Sequence, residues 1–400
     1  MISVAEALDR VLALVDRLDA EEVALSEAGG RVLAERVEAR RDQPPFRASI
    51  MDGYAVRSQD VAPGARLQVV GDVAAGGAFA GTVAAGQAVR IFTGAPVPEG
   101  ADRVVIQEDV RRDGTLIVLG ETLDPGPYVR AAGADFRVGD VMEPRRLGPA
   151  DIALLAAMNL ARIPVVRRPV VALVATGDEL VMPGEGPASS QIVSSNALGL
   201  AAMVRAAGGA PRVLPIARDN EASLRAVLSL AHDADLVVTI GGASVGEHDL
   251  VARVAASLGM ERSFHKVAMR PGKPLMSGRL NGVPMIGLPG NPVSAMVCGQ
   301  VFLLPALGAM LGRGRGPALR RNAPLAAPVA ANGPREHYMR GRLGPRGLLP
   351  AESQDSALLS VLASSDCLIV RPPNDPARET GTVLEYLPIT CVFDPNRERA

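Results

Sequence analysis

"RRPVVALVATGDEL", residues 167 to 180, decides the fold. The run VVALVA has no polar member, as expected of a strand buried on both faces, and it stops abruptly at Thr176, Gly177, Asp178 and Glu179. Similar apolar runs follow in "VLPIA", "LVVTI" and "PMIGL", separated by Ala-rich helical stretches such as "SSNALGLAAMVRAAG" and "NEASLRAVLSLAHDA". Strands alternating with helices predict a doubly wound α/β domain. Ligands of such sheets bind beyond the carboxyl ends of the strands, so those ends are where chemistry is sought.

Every one of them is polar, acidic or glycine-rich. After VVALVA come Asp178 and Glu179, which either cap a following helix or face a ligand; after VLPIA come Arg218 and Asp219. "GGASVGEHD" follows LVVTI, and its Gly241, Gly242 and Gly246 permit positive φ while Ser244 adds a hydroxyl, so the loop is either a plain turn or a cradle for an oxyanion. "HKVAMRPGKPL" gathers Lys266, Arg270 and Lys273 around a Pro-Gly turn. "LPGNPVSA" then stiffens the chain with Pro289, Gly290, Asn291 and Pro292, an N-cap and N1 pair for a helix whose free N–H groups suit an anion. Carboxylates beside cations suit a phosphate-bearing substrate held through a divalent ion.

Outside this domain the pattern changes. From about Pro44 to Arg137, short runs such as "RLQVVGDV", "QAVRIFTGA" and "DRVVIQEDV" alternate with Gly and Pro turns, predicting a small all-β module. An N-terminal amphipathic helix capped by Ser3, with Glu6 three residues on, and the helical "GPADIALLAAMNL" with Asp151 placed for capping flank that module. Past Ala318 the sequence is Pro-rich and β-like again. The expected partition is an elongated helical linker domain (1–37 and 139–169), a small β-rich domain (38–138), the α/β domain (170–317) and a C-terminal β-barrel-like domain (318–400).

Composition narrows the function. The chain is 48% hydrophobic and 21% charged, ample for buried cores, and 42 Lys and Arg balance 43 Asp and Glu. No global field draws it to nucleic acid or an anionic membrane. The apolar stretch Val293 to Leu311 is interrupted by Gln300 and Pro305, which predicts a buried helix rather than a membrane span. Charges at Asp9, Arg10 and Asp16 break any signal-peptide pattern, and Cys298, Cys367 and Cys391 are scattered, so a reducing cytoplasm is expected. The four His residues form no ligand pair; a metal, if one is used, is expected to be a hard oxygen-bound ion such as Mg²⁺.

Six ordered segments carry a resemblance: "MDGYAVR" (51–57), "RIFTGAPVPEGADRVVIQED" (90–109), "ATGDEL" (175–180), "GGASVGEHD" (241–249), "VAMRPGKP" (267–274) and "GLPGNPVSA" (287–295). Together they resemble the molybdopterin molybdenumtransferases of the MoeA family, similar also to the E domains of gephyrin and of the plant molybdenum insertase. That resemblance implies a homodimer of four-domain subunits with each active site shared between subunits. It implies insertion of molybdate into the dithiolene of adenylylated molybdopterin, with Mg²⁺-dependent release of AMP, and a molybdopterin adenylyltransferase as pathway partner. By motif, Asp52, Thr93 and Asp135 would face the cleft from the β domain, and Glu179, Asp219, Asp249, Lys266, Arg270 and Lys273 from the α/β domain, with Arg340 and Ser356 from the C-terminal module. Glu179, Asp219 and Asp249 would hold Mg²⁺, while Ser244, Arg270, Lys273, Arg340 and Ser356 would hold the molybdate oxyanion. Two positions depart from the family pattern, Ser194 where an acidic residue is frequent and Asp355 where glycine is common. The competing readings are a molybdopterin adenylyltransferase, which would be a short single-domain chain, and a non-enzymatic scaffold of the gephyrin type.

Overall fold

The computed structural model describes residues 1–242 and 250–389. The chain divides into two compact units, residues 22–165 and a second formed by residues 1–21 with 166–400. The first helix, α1 (Val4–Leu12), is capped by Ser3 Oγ, which accepts from Glu6 N–H at 3.1 Å. It lies in the same compact unit as the α/β layers. The reason lies in its apolar face, because Val4, Ala7, Leu8, Val11 and Leu12 are buried in the core of those layers.

Residues 22–165 are built on one six-stranded sheet. Its strands are β1 (Gly53–Val56), β2 (Arg66–Val73), β3 (Gln87–Ile91), β4 (Arg103–Ile106), β5 (Val110–Asp113) and β6 (Leu116–Leu119), in the order β4-β1-β3-β2-β6-β5. Alternate residues bury two faces: Ala55, Val89, Ile91 and Val104 lie in one cluster, and Tyr54, Val56, Ala88 and Val105 in the other. Helix α2 (Pro149–Ala157) starts with Asp151 Oδ2 accepting from Gly148 N–H at 2.8 Å and packs Leu155 into a third cluster with Leu33, Leu147 and Ile163.

The second unit carries the α/β layers. Strand β7 (Val170–Ala175) leads to α3 (Asn196–Ala206), β8 (Ala210–Val213), α4 (Glu221–Ser229), β9 (Leu236–Ile240) and α5 (Leu250–Ser257). Then come β10 (Glu261–Phe264), β11 (Met269–Arg270), β12 (Met276–Leu280), β13 (Val283–Leu288) and α6 (Pro292–Cys298). The sheet runs β8-β7-β9-β13-β12-β10. The first four strands are parallel, and β12 and β10 are antiparallel additions at one edge. Helices cover both faces: Val171, Leu173, Val238 and Leu288 point toward α1, α3 and α6, whereas Ala172, Val174, Val237 and Met285 point toward α4 and α5. Burial on both faces is why these strands read as unbroken apolar runs.

The apolar Pro292–Met310 segment is α6, a π-turn over Gly299–Leu303 and α7 (Leu304–Met310). Its most apolar window is 78% buried, so it is a core helix, and the wider hydrogen-bond spacing of the π-turn accommodates Pro305, which has no N–H to give. Beyond it lie β14 (Arg321–Pro324), β15 (Glu336–Gly344), β16 (Gly347–Pro350), α8 (Leu359–Ala363), β17 (Cys367–Arg371) and β18 (Val383–Pro388). They form a sheet ordered β11-β15-β17-β18-β14, with β16 on β15, so a short strand leaves the α/β domain to pair Arg270 opposite His337. Cys298 and Cys367 are buried and free, and burial pushes both thiols up, Cys367 to about 12, which suits packing rather than ligation.

Candidate active site

A cleft of about 890 Å³ opens at the carboxyl ends of β7, β9 and β13, where Glu179, Asp219, Gly241, Gly242 and the turn Pro289–Pro292 all line one wall or another. No helix follows Glu179, so neither acidic residue is a cap. Asp178 instead reaches across, its Oδ1 accepting from Asp219 N–H at 3.0 Å. Arg218 fastens the same corner by donating from Nη1 to the carbonyls of Asp178 (3.0 Å) and Leu180 (3.1 Å). Burial, then the neighbouring Asp178 and Glu179, raises the Asp219 carboxyl above its ordinary range. A concentration of like charge of this kind is relieved by a divalent cation.

Gly241 is required where it stands. Its φ is +93°, and a Cβ there would lie 2.8 Å from the Thr176 carbonyl oxygen. Thr176 Oγ1 is itself buried at the cleft wall, with no hydrogen-bond partner among the described residues. Ser244, Gly246 and Asp249 lie outside the described residues, as does Cys391.

The "LPGNP" turn leads into α6. Asn291 occupies the N-cap position, and its side chain makes no capping bond among the described residues; its Nδ2 donates to Ser356 Oγ at 3.2 Å, and Asn196 Nδ2 donates to the Gly290 carbonyl at 2.7 Å. Pro292 has no N–H, and Val293 N–H is taken by the Ser356 carbonyl at 3.1 Å. The turn is a rigid wall tied on one side to α3 and on the other to Ser356.

Arg340, 2% exposed, donates from Nη1 to the carbonyls of Asp355 (2.8 Å) and Leu358 (3.3 Å), so it shapes the loop that presents Ser356, and burial lowers its pKa. Lys266, Arg270 and Lys273 are exposed, and none is among the described residues lining the cleft, although Pro274 is. Arg270 lies instead at the seam with the C-terminal sheet. There burial, with Arg270, Arg371, Arg335 and Arg340, pushes the buried His337 down to about 4, leaving a neutral imidazole in a positive field.

In the other unit, Asp52 continues the β1–β3 ladder and accepts through Oδ1 from both Thr93 N–H and Thr93 Oγ1–H at 2.7 Å. Those two bonds hold its carboxyl below the ordinary carboxylate range. It is therefore a cross-strand acceptor. Arg90 stacks 5.0 Å from the Tyr54 ring and 4.9 Å from the exposed Phe92 ring beside it. Asp135 is exposed and held through its own N–H to the Gln43 carbonyl at 2.9 Å.

Arg218 stood out in the sequence only as a polar strand end, while Asn196 and Arg253 in the cleft wall were passed over; the partners of Arg218 and Asn196 are backbone carbonyls from other segments, which no motif signals.

A two-sided α/β sheet with a carboxylate-bearing cleft at its strand ends, in a chain that also carries two β-rich modules, defines a multidomain α/β protein with its ligand cleft at the sheet edge. Its α/β part, residues 172–309, matches the model of a "probable molybdopterin binding domain", residues 2–159 match the MoeA N-terminal region (domain I and II), and 322–389 the MoeA C-terminal region (domain IV). The chain is 39% identical to a molybdopterin molybdenumtransferase of a Nostoc species over 79% of its length and 76% of the relative. It is 35% identical to molybdopterin molybdenumtransferase 2 of Mycobacterium tuberculosis over 92% and 95%. A crystal structure of a molybdopterin biosynthesis MoeA protein from Pyrococcus horikosii superposes with a TM-score of 0.87 at 31% identity, covering 98% of this chain and 100% of that one. The chain belongs to the MoeA-type molybdopterin molybdenumtransferase family, a family of transferases.

Proposed function

We propose that the protein is a cytoplasmic molybdopterin molybdenumtransferase, inserting molybdate into the dithiolene of adenylylated molybdopterin with release of AMP. The observation that carries this reading is the convergence of Glu179, Asp219 and the rigid Pro289–Pro292 turn on one cleft in the domain matching the molybdopterin-binding model. A diphosphate-linked substrate is anionic, and this cleft is acidic, so a cation must stand between them. Among the described residues no group of three or more His, Cys, Asp or Glu forms a complete metal cage. Mg²⁺ does not need one, because it is commonly held by one or two carboxylates and completed by substrate phosphates and water. Glu179 and Asp219, with Asp249, would hold Mg²⁺, which when bound would neutralise phosphate charge as AMP departs.

The chain's own residues have separate tasks. The stiff turn tied to Ser356 and Asn196 fixes one wall and limits water. Ser356 and the positive field of Arg270 and Arg340 attract the molybdate oxyanion, with Lys266, Lys273 and Ser244 as further donors. Asp52, fixed by Thr93, and Asp135 are offered to the cleft of a second subunit in a homodimer, in the four-domain arrangement expected from sequence.

The test is molybdate-dependent AMP release by purified protein given adenylylated molybdopterin and Mg²⁺. Release that requires both molybdate and the divalent ion supports the transferase; no release from folded protein would favour the scaffold reading.

A further inference from the structure

Beside the cleft lies a second, mostly apolar pocket of about 390 Å³, walled by Met203, Met296, Leu362, Leu368 and Ile389 among the described residues. Ser195 and Asn196 belong to both walls, so the two spaces adjoin at the start of α3. Gly199, also in the wall, lets α3 approach the Met296 thioether: a Cβ there would come within 3.0 Å of Sδ. One residue is out of character. Gln300, which interrupts the apolar helix pattern, is half-buried in this pocket's lining at the π-turn Gly299–Leu303, and its amide makes no hydrogen bond among the described residues. π-turns inside helices are frequent at functional positions, and a polar amide at an otherwise apolar wall is the kind of group that orients a bound ring.

We infer that this pocket seats a planar heteroaromatic ring of the substrate, its edge read by Gln300, while the adjoining cleft takes the phosphates. The inference rests on the transferase reading, since adenylylated molybdopterin carries two such rings, adenine and pterin, joined through phosphates. The two spaces are chemically complementary to the two parts. A phosphate could not be desolvated against leucine and methionine, whereas a ring gains from burial there and from sulfur–aromatic contact with Met203 and Met296. A mostly apolar pocket with few polar groups is the usual form of a site for a flat organic ring.

Methionine-methyl ¹³C NMR of the full-length protein tests this without catalysis. AMP and 6-hydroxymethylpterin are titrated separately, with the Met203 and Met296 signals assigned through Met203→Leu and Met296→Leu. Saturable ring-current shifts at these methyls with AMP assign the pocket to adenine, and with the pterin to the pterin ring; no shift with either ligand overturns the inference. In the enzyme assay, Ala363→Trp, which fills the pocket from α8, and the similarly sized Gln300→Leu should raise KM for adenylylated molybdopterin about tenfold with kcat little changed. Wild-type KM in both folded variants overturns it as well. Absence of molybdate-dependent AMP release by the wild type would instead sink the transferase reading and leave the ring-binding result to stand on its own.

Discussion

At the scale of single residues, the Asp52–Thr93 pair makes the sharpest prediction. Asp52 is held ionised by the Thr93 amide and hydroxyl, so Asp52→Ala should abolish activity while moving Tm no more than a surface substitution does. Thr93→Val, which keeps the amide bond and loses the hydroxyl, should lower kcat only partially. Because the folded pKa is depressed, the favourable contribution of this pair is present above the unfolded carboxyl pKa and lost as pH falls through the folded one. A pH–rate profile should therefore show no break from Asp52 near neutrality. Asp219 has the opposite sign. Its raised pKa means that the folded state favours the protonated form, and that contribution disappears as pH rises through the folded value, leaving unrelieved repulsion at neutral pH. Added Mg²⁺ should raise the Tm of the wild type, whereas Asp219→Asn should gain up to about 2 °C without Mg²⁺ and respond weakly to it, a small effect because solvent at the cleft mouth screens this only partly buried carboxylate. Equal Mg²⁺ shifts in both proteins, read by scanning calorimetry, would remove Asp219 from the metal site. Motifs made Asp52, Thr93 and Asp219 legible as candidates. Their partnerships were not, because Thr93 meets Asp52 only through the register of β1 with β3, and Asp178 meets Asp219 only once two strand ends lie side by side.

Secondary-structure elements carry the next level. Strands β7, β9 and β13 were readable because parallel strands covered on both faces admit few polar residues, and their ends marked the cleft. The antiparallel edge of the same sheet was hidden, since the β12–β13 hairpin has the same apolar composition as a parallel strand. Likewise α1 showed its apolar face but not which core that face joins. Gly241 tests the strand-end geometry: Gly241→Ala should destabilise by at least about 2 kcal/mol, because positive φ and contact with a backbone carbonyl both oppose a Cβ. A Tm equal to that of the wild type would show that this turn is not fixed in the way described. Asn291→Ala removes the bond to Ser356 and should cost about 1 kcal/mol, with a raised KM for molybdate if the turn and Ser356 act as one wall.

For the whole molecule, the Asp52–Thr93 pair and the carboxylate cleft lie in two different compact units of each chain, and the proposed function requires them to meet between subunits. Composition and spacing bear on neither side of that proposal, because intrachain periodicity carries no information about which copy supplies a residue; only the resemblance of the ordered motifs suggested it. The most direct measurement is molybdate-dependent AMP release by mixed dimers that pair an Asp52→Ala subunit with a Glu179→Ala subunit, each homodimer being inactive. A site assembled across subunits leaves one intact cleft per mixed dimer and restores about half of the wild-type activity per dimer, by the counting of a two-fold symmetric interface. Mixed dimers as inactive as the parents would contradict the account.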